Sequence, residues 1–151
     1  MPMPLLVTDI ANLSVYRNRK EESMITKQRK NDLICLANDV IADSPILKNG
    51  TINKSYNGQI AAFSVSVAMS GLKPALALYM NGSSSSDVDK TKIVDLLAAM
   101  YGKEHSENLN GKTFYDNVIK ETDNKKIEQY RKKIVEYAIA LKLAVRTYKL
   151  V

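Results

Sequence analysis

Apolar residues spaced three or four positions apart run through most of the chain and predict helices. The longest run lies in segment 124–151, where it comprises Ile127, Tyr130, Ile134, Tyr137, Leu141, Val145 and Tyr148. This spacing places one continuous apolar stripe along an α-helix of about seven turns. The sequence therefore predicts a long C-terminal helix, which begins after a capping Asp123.

The same spacing predicts five shorter helices upstream. They cover Thr26–Asp43, Ser55–Ser70, Lys73–Tyr79, a segment from a cap at Ser86 or Asp87 to a stop at Gly102, and a short helix capped by Thr113. The alternation around Val65 and Val67 also fits a short strand, but it is brief and its flanks are helical, which favours a helix. Lys48-Asn49-Gly50 is predicted to be a turn, and Gly71 a helix cap with positive φ. With no convincing strand, the predicted fold class is all-α, a compact bundle of about six helices with a long C-terminal helix.

Length and composition fit one globular domain preceded by a short arm. The chain has 151 residues, and residues 1–24 include Pro2 and Pro4 and lack sustained periodicity. We expect an N-terminal arm over 1–24, partly extended, and a single helical domain over 25–151. The single Cys35 lies among apolar neighbours and is expected to be buried and reduced. Without a signal sequence or an apolar run of membrane length, the protein is expected to be cytoplasmic, with no membrane partner.

The positive charge of the chain is concentrated toward its two ends. The net charge is +6, and segment 124–151 alone carries eight of the 22 basic residues against two acids. Segment 17–30 adds six basic residues against two acids, so the remainder of the chain is acidic. This concentration of positive charge in two segments favours a polyanionic partner more strongly than the total charge does.

The basic residues form two candidate nucleic-acid-binding clusters. At about 100° per residue, one sector of the last helix holds Arg131, Lys142, Arg146 and Lys149. The positive field is wider at the start of the helix, which carries Lys125, Lys126, Lys132 and Lys133. The second cluster consists of Arg17, Arg19, Lys20, Lys27, Arg29 and Lys30. Both could neutralise phosphates without reading bases, and a solvated face that keeps the protein soluble is the alternative. A different side of the helix, which carries Val135, Ile139, Leu143 and Leu150, is apolar as well, and this indicates central burial or contact with another protein.

Residues that support catalysis are scarce. His105 is the only histidine, lies in a polar stretch and is expected to be at the surface. Gly111-Lys112-Thr113 matches the last three residues of the phosphate-binding-loop motif. The first glycine of that motif would fall at position 106, where the chain has Ser106, and no predicted strand precedes the segment. We therefore expect no enzyme activity, no metal site and no cofactor.

Two segments resemble the small all-α subunit of the type III-B CRISPR effector, the fifth protein of the Cmr complex. The first runs from Tyr56-Asn57-Gly58 through Phe63 to Ser70-Gly71-Leu72-Lys73-Pro74-Ala75-Leu76-Ala77-Leu78-Tyr79. It is similar to a helix of that family, its Gly-Leu turn and the helix that follows. The second, Tyr130-Arg131-Lys132-Lys133-Ile134-Val135-Glu136 continuing to Leu141 and Arg146, is similar to the final helix of the family.

The resemblance implies a role in antiviral defence. Members of this family are non-catalytic and stack in several copies as a minor filament beside the larger subunits that hold guide RNA. The expected partners are guide RNA and target RNA, contacted mainly through their backbones, the backbone and large subunits of the effector, and copies of the chain itself. Base pairing would then read the sequence, while this protein supplies shape and positive charge along the duplex. The alternative is a helical protein-binding adaptor with no nucleic-acid role.

Overall fold

A computed structural model describes residues 27–81 and 88–151 of the chain. Their helices are α1 (27–42), α2 (Lys54–Ser70), α3 (Leu72–Asn81), α4 (Thr91–Glu104), α5 (Gly111–Lys120) and α6 (Asn124–Val145). Their strands are β1 (Leu47–Lys48), β2 (Thr51–Ile52) and β3 (Lys149–Leu150). The chain divides into two units, Met1–Asp32 and Leu33–Val151, and the described part of the first, 27–32, is helical. The predicted arm over 1–24 lies outside the described residues, and so do Ser86 and Asp87, the predicted caps of α4. Helix α4 begins only at Thr91, so the prediction that it starts directly after Ser86 or Asp87 was wrong.

The predicted all-α bundle with a long C-terminal helix is confirmed. In the second unit, α6 packs against α2, α3 and α4, and α4 also packs against α5. One face of α6 is buried, with Ile134, Tyr137, Ala138, Ala140, Leu141, Ala144 and Val145 in the core. The apolar stripe predicted from the sequence is thus the face that joins α6 to the other helices.

Helix α1 contributes Leu33, Ala37, Val40 and Ile41 to the same core. Cys35, which lies between two of these buried positions, is exposed. The prediction of a buried cysteine was therefore wrong. At about 100° per residue, position 35 faces away from positions 33 and 37, so apolar neighbours in sequence do not surround it in space.

A small three-stranded sheet lies beside the helices, so the prediction of no convincing strand was wrong. Strands β1 and β2 pair antiparallel around Asn49-Gly50, and both turn residues have positive φ, 53° and 76°. Asn-Gly with two positive φ values is the usual two-residue hairpin turn, and it confirms the predicted turn. Each strand has only two residues, which is too short to show an alternating pattern.

Strand β3 shortens the C-terminal helix relative to the prediction. Helix α6 ends at Val145, and β3 pairs parallel with β2. The Val151 N–H donates to the Ile52 carbonyl at 2.9 Å, and the Val151 carbonyl accepts from the Lys54 N–H at 3.0 Å. Backbone pairing with the hairpin therefore overrides the helical spacing that continues in the sequence to Tyr148. Lys149 consequently lies on a strand, and its predicted position on the helix was wrong.

Asparagine and aspartate side chains cap three of the described helices. Asn53 Oδ1 accepts from the Ser55 N–H at 2.9 Å, and Asp123 Oδ1 accepts from the Lys125 N–H at 2.9 Å, as predicted for Asp123. Asn110 Oδ1 accepts from the Thr113 N–H at 2.8 Å, so Asn110 caps α5. The prediction of Thr113 as the cap was wrong, because Thr113 supplies the backbone donor instead.

Two glycines occupy positions that a side chain would disturb. Gly71 has φ 93°, which confirms the predicted cap between α2 and α3. Gly102 does not stop α4, which continues to Glu104. A Cβ atom at position 102 would lie 2.4 Å from the Glu107 carbonyl oxygen. Gly102 therefore permits close backbone approach instead of ending the helix.

Candidate nucleic-acid interface

Three of the predicted cations share one side of α6. At about 100° per residue, Arg131, Lys142 and Arg146 fall within a sector of about 60°. Arg146 is exposed, and the other two are partly buried. Val135, which is partly buried, lies in the same sector, and the partly buried Ile139 lies about 20° beyond Arg146. We call Arg131, Lys142 and Arg146 the basic face of α6.

The remaining predicted cations do not join this face. Lys132 is exposed on α6, about 100° from Arg131, and Lys149 is exposed on β3. The first unit contains Lys27, Arg29 and Lys30 on its helical residues, with Lys27 and Lys30 exposed and Arg29 partly buried. Arg17, Arg19 and Lys20 lie outside the described residues.

Arg131 is held by a carboxylate one helical turn earlier. Its Nε and Nη2 atoms donate to the two carboxylate oxygens of Glu128 at 2.9 and 2.5 Å. The hydrogen bond from Arg131 lowers the pKa of Glu128, and the same bond raises the pKa of Arg131. Both groups are solvated, so the pair adds little to stability. It does fix the guanidinium at the start of the basic face.

Lys142 and Arg146 form no ion pair with the residues that the structure describes. The Arg146 Nε donates to Asn57 Oδ1 of α2 at 3.3 Å, a neutral acceptor. Arg146 also stands at the C-cap of α6, where the helix dipole favours a cation. The C-terminal half of the basic face therefore keeps its positive charge available to an anion.

The other apolar positions of α6 are only partly covered. Leu143 is 37% exposed, while Leu141, two residues earlier, is fully buried. Val135 and Ile139 are partly buried. The apolar residues of α6 thus fall into two groups. Most belong to the large buried face, and a smaller, partly exposed group, Val135, Ile139 and Leu143, lies within or next to the basic face.

A second surface lies where the end of α4 meets the start of α6. It is a cleft of about 390 Å³, lined by Tyr101, His105, Glu121, Lys126, Gln129, Tyr130 and Lys133. We call it the aromatic cleft. Its walls are two tyrosines and a histidine, and its charged groups are two lysines and one glutamate.

The rings of the aromatic cleft are in direct contact. The Tyr101 and His105 rings stack with centroids 4.0 Å apart and an interplanar angle of 15°, and the Tyr130 ring lies 5.5 Å from Tyr101. The His105 Nδ1 is 2.8 Å from the Tyr101 carbonyl oxygen. Burial, followed by the charge of Tyr130 and a hydrogen bond with it, raises the pKa of Tyr101 to about 12. Tyr101 is therefore a neutral hydroxyl at physiological pH.

Sequence reasoning did not identify this cleft. Lys126, Tyr130 and Lys133 have i, i+4, i+7 spacing and so share one face of α6, which is a signal visible in the sequence. Tyr101 and His105 come from α4, however, and only the packing of α4 against α6 brings them there. The predicted surface position of His105 is confirmed.

The described residues offer no metal-binding cluster. No group of three or more histidine, cysteine, aspartate or glutamate side chains in 27–81 and 88–151 could hold a metal ion. At Gly111-Lys112-Thr113, the Gly111 N–H donates to the Asp95 carboxylate at 2.8 Å, where a phosphate would have to approach. No helix in this part of the chain has both the length and the apolar character required to cross a membrane.

Compared with models of protein families, with curated proteins and with solved structures, the chain matches none of them.

Proposed function

We propose that the protein is a non-catalytic small subunit of a type III-B CRISPR effector, the Cmr complex. It stacks in several copies as a minor filament and contributes basic surface along the guide and target RNA duplex in antiviral defence. The observation that carries this proposal is the basic face of α6. There, Lys142 and Arg146 lack a carboxylate partner among the described residues, and Arg131 is held in the same sector.

The basic face suits a phosphate backbone better than a small anion. Arg131 and Arg146 lie 15 residues apart along the chain, which is about 22 Å on a helix that rises 1.5 Å per residue. The cations are therefore spread along a line instead of converging on one point. Phosphates of a nucleic acid repeat along a line too, and each neutralised phosphate releases counterions. Among the described residues, Val135 lies in the same sector between Arg131 and Arg146, and its apolar side chain cannot read base edges by hydrogen bonds, which supports contact with the RNA backbone.

The surface of α2 supports packing against neighbouring subunits. This helix has 17 residues and one charged side chain, Lys54. Its exposed side includes Val65, 56% exposed, and Met69, 82% exposed. Exposed apolar residues on an uncharged helix face lose unfavourable contact with water when another protein covers them. In the proposed filament, copies of the chain or the larger effector subunits would cover this side.

The exposed side of α2 also favours the second candidate, a helical protein-binding adaptor. In that case the basic face of α6 serves only to solubilise the protein. The two functions differ in whether RNA accompanies the partner protein.

Purification of the tagged full chain from its own cell distinguishes them. The proposal predicts that RNA and several larger proteins purify with the chain, and that ribonuclease treatment releases the RNA. Recovery of a protein partner without RNA would contradict the effector proposal and favour the adaptor. A matched purification of a Val65→Glu, Met69→Glu variant should lose the protein partners in both cases, because it places charges on the apolar side of α2.

A further inference from the structure

The aromatic cleft is separate from the basic face. On α6, Lys126 and Lys133 lie about 140–160° around the helix axis from Arg131. A duplex that follows the basic face therefore does not engage the cleft lysines from the same side. The cleft needs an explanation of its own.

The stability of the fold does not explain why two lysines line the aromatic cleft. Lys126 lies in the first turn of α6, and this turn contains no acid. A cation there opposes the positive end of the helix dipole and costs some stability. Among the described residues that line the cleft, Glu121 is the one with a carboxylate, and it accepts from the Thr122 and Asp123 N–H groups at 3.1 and 3.2 Å. The two ammonium groups outnumber the carboxylate in the lining of the cleft, and this excess of positive charge attracts an anion.

The aromatic side chains of the cleft favour a planar ligand, which can stack on them. His105 is exposed although one face of its ring is stacked on Tyr101, so the side chain remains accessible to a ligand. The Tyr130 ring contacts both Tyr101 and Phe114, and Phe114 is buried beneath them. Gln129 adds an amide that can donate to and accept from a base edge. A cleft of about 390 Å³ lies within the range that holds small ligands.

We propose that the aromatic cleft binds one nucleotide of single-stranded RNA. The base stacks on the His105 and Tyr130 rings, and the adjoining phosphates contact Lys126 and Lys133. Bases in a duplex are already stacked on one another, whereas unpaired bases are free to stack on aromatic side chains. The inference deepens the proposed function, because it adds a site for unpaired RNA to the surface that follows the duplex, and its test does not depend on an effector complex.

The test measures binding of the full chain to a ten-nucleotide oligouridine, to an abasic oligomer of the same length and to an RNA duplex. We expect the oligouridine to bind more tightly than the abasic oligomer. We expect His105→Ala to leave duplex binding unchanged, because a duplex contacts the basic face instead of the cleft. His105→Ala should weaken oligouridine binding roughly 5- to 150-fold, the range for loss of stacking on one base. His105→Phe should preserve it. Changing Lys126→Gln and Lys133→Gln together should lower the salt slope by about 1.4 for single-stranded RNA.

Three outcomes would overturn the inference. They are equal affinity for the oligouridine and the abasic oligomer, an equal loss of duplex and oligouridine binding by His105→Ala, and unchanged oligouridine binding by His105→Ala. Because His105 is exposed, its substitution should not unfold the chain, and circular dichroism checks this. NMR of the wild-type chain provides a test without substitution: addition of oligouridine should shift the His105 and Tyr101 ring signals. Absence of RNA in the purification from cells would refute the effector role and leave these results unaffected.

Discussion

Leu141 should be among the most costly positions of α6 to truncate. Its side chain has no solvent exposure, and the buried face to which it belongs packs against α2, α3 and α4. Leu141→Ala removes three carbon groups at about 0.8 kcal/mol each, or about 2.4 kcal/mol of transfer free energy. The cavity left behind raises the expected loss of unfolding free energy to about 3–4 kcal/mol. For a domain of this size, that corresponds to a fall in Tm of roughly 6–16 °C.

Leu143 provides the matched control for this substitution. It is the same residue type on the same helix, but it is 37% exposed. Leu143→Ala changes helix propensity equally and should cost less than about 1 kcal/mol. Urea unfolding followed by far-ultraviolet circular dichroism measures both variants, and the m-values should stay the same. Equal losses at the two positions would refute the assignment of the buried face of α6.

Three further substitutions test local features of the fold by urea unfolding. Gly102→Ala should destabilise the protein by about 1–3 kcal/mol, because the new Cβ meets the Glu107 carbonyl, whereas Gly58→Ala, with open space around it, should stabilise α2 by about 0.5–1 kcal/mol. Asn110→Ala should cost about 1 kcal/mol through loss of the α5 cap, and Thr113→Ala should cost clearly less. Burial raises the pKa of Tyr79 from 10.0 to about 12, so the folded state holds this proton more tightly and stability should fall between pH 10 and 12; Tyr79→Phe should make that fall smaller.

The helices could be predicted because their apolar spacing is also their packing pattern. Positions Ile134, Tyr137, Leu141 and Val145 recur at the helical period and are all buried. The helix caps at Gly71 and Asp123 could also be predicted from the local sequence. In these cases the residue type and the backbone conformation it favours agree with the tertiary structure.

Features that depend on partners distant in sequence could not be predicted. Strand β3 forms because the hairpin at Asn49-Gly50 offers backbone partners, and nothing in the local sequence around Lys149 indicates them. Gly102 resembles a helix stop, and only the return of the chain at Glu107 explains its small size. The same limit applies to the candidate sites. The basic face follows from spacing along one helix, whereas the aromatic cleft requires α4 and α6 together.

The salt dependence of RNA affinity tests the proposal that the basic face of α6 contacts the RNA backbone. The purified assembly should bind target RNA with an affinity that falls steeply as salt rises. Replacing Arg131, Lys142 and Arg146 by glutamate should weaken binding and flatten the slope by about 2–3. A control with the same change in charge replaces the exposed Lys48, Lys103 and Lys112 and should keep the wild-type slope. Identical slopes for the wild type and the basic-face variant would contradict contact between the basic face and the RNA backbone.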